Sequence, residues 1–295
     1  MIRKTLKLAL LQETDHGTRD ANLDAIETGL REAARAGAEL VLLQELHNGP
    51  YFCQHEDAAE FERAESIPGP SSDRIGALAE ELRLVIVASL FERRAAGLYH
   101  NTAVVFDRAR AIAGTYRKAH IPDDPAYYEK FYFTPGDSGF NPVATSVGKL
   151  GVLVCWDQWY PEAARLMALA GADLLLYPTA IGWDPGDEQD EKDRQRDAWV
   201  TVQRGHAIAN GLPLLACNRT GFEASPEGDR GIQFWGSSFV AGPQGEIVAQ
   251  AASDARELLL ADVDLARSEA VRRIWPFLRD RRIDAYGDLQ RRFRD

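Results

Sequence analysis

Cys155 stands where an apolar run stops, in LGVLVCWDQWYPEAAR, about six residues before a segment that opens like a helix at Pro161 and Glu162. A thiol near the positive end of a helix, with a cation close by, is biased toward the thiolate, the form that attacks carbon. The same position also suits a buried cysteine acting as a small hydrophobe. Glu45 closes another apolar run, ELVLLQE. Carboxylates are almost never buried unpaired, so Glu45 either meets a partner or marks the point where the strand reaches solvent. Lys118, in TYRKAHIP, follows a third apolar stretch, and Arg117 beside it could equally belong to a surface pair. A base, a cation and a thiol, each just past a strand, are the parts that cysteine-based acyl transfer requires.

The elements that would carry them read as strand–helix units. Leu23, Ile26, Leu30 and Ala34 fall at helical spacing, with Asp20 as the expected N-cap and Gly37 as the stop. ELVLLQE is continuously apolar, as a strand covered on both faces should be. Residues 73–83 repeat the helical pattern before LVIVASLFER, and LGVLVC, the helix near Pro161 and DLLLYPT form another crossover unit. Residues 101–116 and 236–250 read as matching hairpins, 196–210 as a helix and LPLLACN as a strand. Each hairpin follows a set of crossover units, so the expectation is one α/β domain of four layers over residues 1–264. An Arg-rich and aromatic extension follows over 265–295.

With 295 residues, 45% hydrophobic and 27% charged, the chain has the composition of an ordinary globular protein. Its net charge of -11 disfavours nucleic acid, which needs many Lys and Arg against phosphates, and tolerates a cationic small molecule. No stretch approaches the roughly 18 apolar residues of a membrane span. Three cysteines give no disulfide framework and suggest a reducing, cytoplasmic setting. The extension from residue 265 holds nine arginines and five acids; given the acidic whole, contact with a neighbouring subunit is expected there rather than nucleic acid.

As an ordered set, Glu45, Lys118 and Cys155 resemble the nitrilase superfamily of carbon-nitrogen hydrolases. KAHIPDDPAYYEKFYFTPGD, GVLVCWDQWYPEAARLMALAGADLLLYPTAIG, QRGHAIAN and RRIWPFLRDRRIDAYGDL carry the likeness, which runs from the first strand to about residue 290. The resemblance implies an αββα sandwich, a Glu-Lys-Cys triad at Glu45, Lys118 and Cys155, and a second supporting carboxylate at Glu129. It implies no metal or cofactor and a homo-oligomer built from dimers. Within the superfamily the chain is similar to the polyamine branch, which implies a carbamoylated diamine hydrolysed to the diamine, carbon dioxide and ammonia. Lys118 and the backbone N–H of Trp156 would then hold the oxyanion.

Related carbamoyl-amino-acid enzymes place arginines shortly after the nucleophile, whereas this chain has Gln158 and Trp159 there. Without that cationic clamp a carboxylated substrate loses its partner. The segment 184–197, DPGDEQDEKDRQRD, reads as a charged loop with seven acids and three bases, in which Asp184 and Glu188 are the expected partners of a distal ammonium. Tyr51, Trp156 and Trp183 are expected along the channel wall, although aromatics at strand ends are equally often core.

A protease-like arrangement of Cys155 with His206 and Asn218 follows the order thiol, imidazole, amide, but a lone histidine in a semi-apolar helix is usually a packing residue. Cys217 also ends a strand and Cys53 reads as wall or core. No HExxH, CxxC, GxSxG, GxGxxG or GxxxxGKS pattern is present. A fold that has lost activity and serves only in assembly is the remaining alternative, against which stands the filling of all three triad positions.

Overall fold

Strand β1 (Leu6–Gln12) divides its side chains between two cores, with Leu6, Leu8 and Leu10 on one side and Ala9 and Leu11 on the other. Helix α1 (Arg19–Arg35) covers the second side with Leu23, Ile26 and Leu30. The Thr18 hydroxyl caps it by accepting from the Ala21 N–H at 3.2 Å, so the expected cap at Asp20 lies instead in the first turn. Strand β2 (Leu40–Leu43) divides in the same way, Leu40 and Leu42 against Val41 and Leu43. An apolar run buried on both faces is the result, as ELVLLQE requires.

In this computed structural model residues 5–226, 228 and 230–294 are described. The first half continues with α2 (Pro70–Leu82), β3 (Val85–Ala95), β4 (Leu98–Asp107), β5 (Ile112–Arg117) and the short α3 (Glu129–Tyr132). The second half comprises β6 (Val143–Thr145), β7 (Gly148–Val152), α4 (Pro161–Leu169), β8 (Leu174–Thr179), β9 (Gly182–Trp183), α5 (Gln189–Asn210), β10 (Leu214–Asn218), β11 (Thr220–Ala224), β12 (Gly231–Trp235), β13 (Phe239–Ala241), β14 (Ile247–Gln250), β15 (Glu257–Val263) and α6 (Ala266–Ile274). Among the described residues the strands form two six-stranded sheets, ordered β15-β1-β2-β3-β4-β5 and β14-β13-β10-β8-β7-β6, and a small sheet, β11-β12-β9. The large sheets pack face to face, Leu8, Leu10 and Leu42 meeting the core that contains Leu150, Leu176 and Leu215. Helices α1 and α2 lie outside the first, and α4 and α5 outside the second, giving the αββα sandwich.

Two readings of the sequence change. The stretch 184–197 is a loop only as far as Glu188, because α5 begins at Gln189. Asp190 and Glu191 favour the helix N-terminus, and Glu191–Arg194 and Gln189–Asp193 contacts brace the first turns. The small sheet was not anticipated: β9 has two residues, and β11 exposes alternate positions, so neither makes an apolar run.

The strand end before Lys118 is closed by a tight backbone approach. Gly136 N–H donates to Lys118 O at 2.8 Å, and a Cβ at Gly136 would stand 2.0 Å from Arg117 O. Since backbone cannot yield as a side-chain tip can, Gly136→Ala is expected to displace the Lys118 segment. The predicted cost is roughly 1–3 kcal/mol, read as a fall of several degrees in melting temperature together with at least about tenfold lower turnover. An unchanged melting temperature and rate would show that the approach is not needed.

Candidate active site

Glu45 lies two residues beyond β2, Lys118 one beyond β5 and Cys155 three beyond β7, so three strand ends converge on one cleft. Lys118 is the link. Its fully buried ammonium donates to Glu45 Oε1 at 2.8 Å and to Glu129 Oε2 at 2.6 Å. Burial alone would drive Lys118 toward neutrality, but Glu129 and Glu45 outweigh it and hold the cation well above its ordinary pKa. Arg117, the alternative of the sequence reading, is engaged elsewhere, with Glu92 at 2.6 Å and 2.7 Å.

The two carboxylates are treated differently. Tyr51 O–H donates to Glu129 Oε1 at 2.8 Å, so both oxygens of Glu129 have partners. Burial pushes the Glu129 carboxyl up to about 7, with Lys118 opposing and Glu45 adding to the rise. On Glu45, Oε1 accepts from both Lys118 and Asn101, while Oε2 is buried without a partner among the described residues. A bare carboxylate oxygen in a buried cleft is an available proton acceptor.

Cys155 opens a short 3-10 turn, Cys155–Trp159, with a left-handed φ of 41° that projects it from the strand end. Its Sγ sits 3.8 Å from Ala180 O. Burial pushes the thiol well above its ordinary pKa, the charge of Glu45 pushes it further, and Lys118 only partly opposes them. The sequence leads to the expectation that a helix end and a cation favour the thiolate, whereas burial and Glu45 here favour the neutral thiol. Asp157 anchors this turn by accepting from Val154 N–H at 2.9 Å, Tyr116 O–H at 2.9 Å and the His120 ring at 2.7 Å, tying it to the Lys118 segment.

The loop after Glu45 is gripped from the other side. Buried Arg219 donates to the carbonyls of Glu45, Leu46 and Gly49, and Glu223 holds Arg219 at 2.6 Å. Neutral His47 donates Nδ1–H to Ser89 O at 3.0 Å, and burial lowers its pKa to about 4.

A cavity of about 490 Å³ opens over Cys155. Trp156 lines it as expected, and its backbone N–H donates no hydrogen bond within the protein among the described residues. Asp184 also lines it. Glu188 does not: it is the extended N-cap of α5, and the cavity is lined instead by Asp187 just before it and by Glu191 and Arg194 within the helix. Tyr51 is no wall residue but lies behind the site, holding Glu129. The Trp183 ring also turns away, its Nε1–H donating to Lys192 O at 2.9 Å and its face covered by Arg196. Gln158 is buried behind Cys155, bonded to Thr179 and Trp199, while Trp159 reaches the cavity.

The protease-like alternative fails on geometry. His206 Nε2 donates to Gln158 O at 2.7 Å, and the Asn218 amide is spent on Ile181 and Gly236. Cys217 donates to Leu11 O, and Cys53 is wholly buried. Asn101, Asp157 and Arg219 escaped the sequence reading; their signal was a polar residue at the edge of an apolar run, which is as often a strand reaching solvent.

A buried carboxylate, ammonium and thiol on an αββα sandwich define a cysteine-dependent hydrolase of amide-like bonds. The chain matches the carbon-nitrogen hydrolase family over residues 7–273, and it belongs to that family. It is 45% identical to an N-carbamoylputrescine amidase of Arabidopsis thaliana over 97% of this chain and 96% of that protein. A citrullinase of Francisella tularensis subsp. tularensis is 40% identical over 98% and 99% of the two chains. The crystal structure of a carbon-nitrogen hydrolase from Helicobacter pylori G27 superposes with a TM-score of 0.96 at 54% identity, covering 98% of this chain and 100% of that one.

Two outcomes are expected. Glu45→Gln removes a charge that raises the Cys155 pKa, so thiolate absorbance should titrate at lower pH while turnover falls about 10²–10⁴-fold; a more acidic thiol with retained turnover would deny Glu45 a proton-transfer role. For His47, an unfolded imidazole binds a proton below pH 6.5 whereas the native one resists until about pH 4. Stability present above pH 6.5 is therefore lost as the pH falls toward 4, by at most about 3 kcal/mol. Urea unfolding of His47→Gln should show a flatter acid slope; an equal slope would assign the loss to other groups.

Proposed function

We propose that the protein hydrolyses N-carbamoylputrescine to putrescine, carbon dioxide and ammonia through a carbamoyl group carried on Cys155. The observation that carries this reading is an acidic cavity wall next to the thiol. Asp124, Asp184, Asp187 and Glu191 line it, and Arg194, the cation among the described lining residues, is paired with Glu191 at 2.8 Å. Such a wall attracts a distal ammonium and repels a free carboxylate. The likeness to the Arabidopsis enzyme supports the same substrate.

In this reading Glu45 Oε2 takes the Cys155 proton as sulfur attacks the carbamoyl carbon. Charge moves to the carbonyl oxygen, where the remaining N–H of Lys118 and the Trp156 N–H stabilise it, each such donor being worth roughly 3–4 kcal/mol. The intermediate collapses by breaking the bond to the putrescine nitrogen, which takes the proton from Glu45 and leaves as the amine. Water then gives a proton to Glu45 and its hydroxyl to the carbamoyl carbon. The sulfur departs and recovers its proton, and the released carbamic acid breaks down to carbon dioxide and ammonia. Glu129, braced by Tyr51, keeps Lys118 in place.

The exposed apolar residues of the tail, Ile274, Trp275, Ile283, Leu289 and Phe293, support an extension over 265–295 that packs on a neighbouring subunit of a homo-oligomer built from dimers. Free, buried Cys53, Cys155 and Cys217 are in keeping with a cytoplasmic setting.

Cys155→Ala should abolish ammonia release without loss of fold by circular dichroism, and retained turnover would remove Cys155 as nucleophile. For the substrate, N-carbamoylputrescine, N-butylurea, citrulline and carbamoyl-β-alanine are compared. The diamine derivative should exceed N-butylurea by at least about tenfold in kcat/KM, and Asp184→Asn should narrow that gap through KM. Preference for citrulline or carbamoyl-β-alanine would overturn the amine reading and leave the hydrolase in place.

A further inference from the structure

Four buried groups form a closed chain of hydrogen bonds that begins and ends at the residues beside the cleft. Leu46 N–H donates to Ser89 Oγ at 3.3 Å, Ser89 O–H donates to Asn101 Oδ1 at 3.0 Å, and Asn101 Nδ2–H donates to Glu45 Oε1 at 2.7 Å. Glu45 and Leu46 are covalent neighbours, so the chain closes on itself. Glu45, Ser89 and Asn101 have no measurable exposure, and Leu46 next to them is buried at 2% with a left-handed φ of 49°.

The direction of each bond is fixed. A backbone N–H can only donate, so the Ser89 oxygen accepts from Leu46 and its proton points to Asn101. The Asn101 oxygen is thereby the acceptor, which turns its NH₂ toward Glu45. Asn101 O also accepts from Lys118 N–H at 2.9 Å, so one residue locates both Glu45 and Lys118. With the Lys118 ammonium arriving at the same Oε1, that oxygen is filled and Oε2 is left bare.

We infer that Asn101, oriented by Ser89, is a positioning residue that fills Glu45 Oε1 and so reserves Oε2 for the proton of Cys155. Resting on Glu45 as the proposed base, the inference concerns how that base is aimed. Without Asn101 the carboxylate can rotate and present either oxygen to Lys118, and the productive alignment is lost for part of the time.

The test uses the full-length enzyme with N-carbamoylputrescine. Asn101→Leu should lower kcat about 10²-fold and leave KM within about threefold. Ser89→Ala should lower kcat in the same way by less, and Ser89→Thr should restore it. If Asn101→Leu does not fold, the Ser89 pair decides. A kcat unchanged in the folded variants overturns the inference, as does a change confined to KM. Glu45→Gln run in parallel separates the two ideas: an active Glu45→Gln enzyme defeats Glu45 as base, whereas an inactive one beside a wild-type-like Asn101→Leu defeats only the role of Asn101.

Discussion

A single ammonium held between two buried carboxylates organises this molecule. Lys118 carries one positive charge into a site with Glu45 and Glu129, none of the three exposed. Taking such ions from water costs several kcal/mol each, and only close, multiply hydrogen-bonded geometry recovers it. The strand ends that deliver these residues therefore have little freedom, and the braces around them follow as necessities. Tyr51 fills the second oxygen of Glu129, Asn101 meets Glu45, and Asp157 fastens the turn with Cys155 to the segment with Lys118.

The same charge arrangement decides the state of the thiol. Burial of the sulfur and the neighbouring Glu45 favour the neutral thiol, and Lys118 only partly opposes them. The backbone is left-handed at Cys155 itself and at Leu46, the neighbour of Glu45, so both residues of the cleft sit at or beside strained corners.

Much of this was legible in the sequence, and for definable reasons. Continuous apolar runs gave β2 and β8, and helical spacing gave α1 and the core of α5. Glu45 and Cys155 announced themselves because each interrupts a buried run with a group that burial penalises. Thr18 was missed as a cap because Asp20, a good cap by type, stood two residues further on. Glu188 was chosen for its distance from the strand end, but α5 began earlier than its charge suggested and brought Glu191 to the cavity, beside Asp187 from the preceding loop. Asn101 and Arg219 were hidden because their partners lie 56 and 174 residues away in the chain, and no local pattern encodes such a meeting.

The grip of Arg219 on the loop after Glu45 has one more consequence. The guanidinium reaches carbonyl oxygens of Glu45, Leu46 and Gly49, not their side chains. That clasp fixes the peptide path, while the side chains of His47 and Asn48 are moored separately, to Ser89 O and to Glu65 and Ser71. Main chain and side chains of the loop are thus anchored to different parts of the molecule, and loosening one set leaves the other to keep the carboxylate in register.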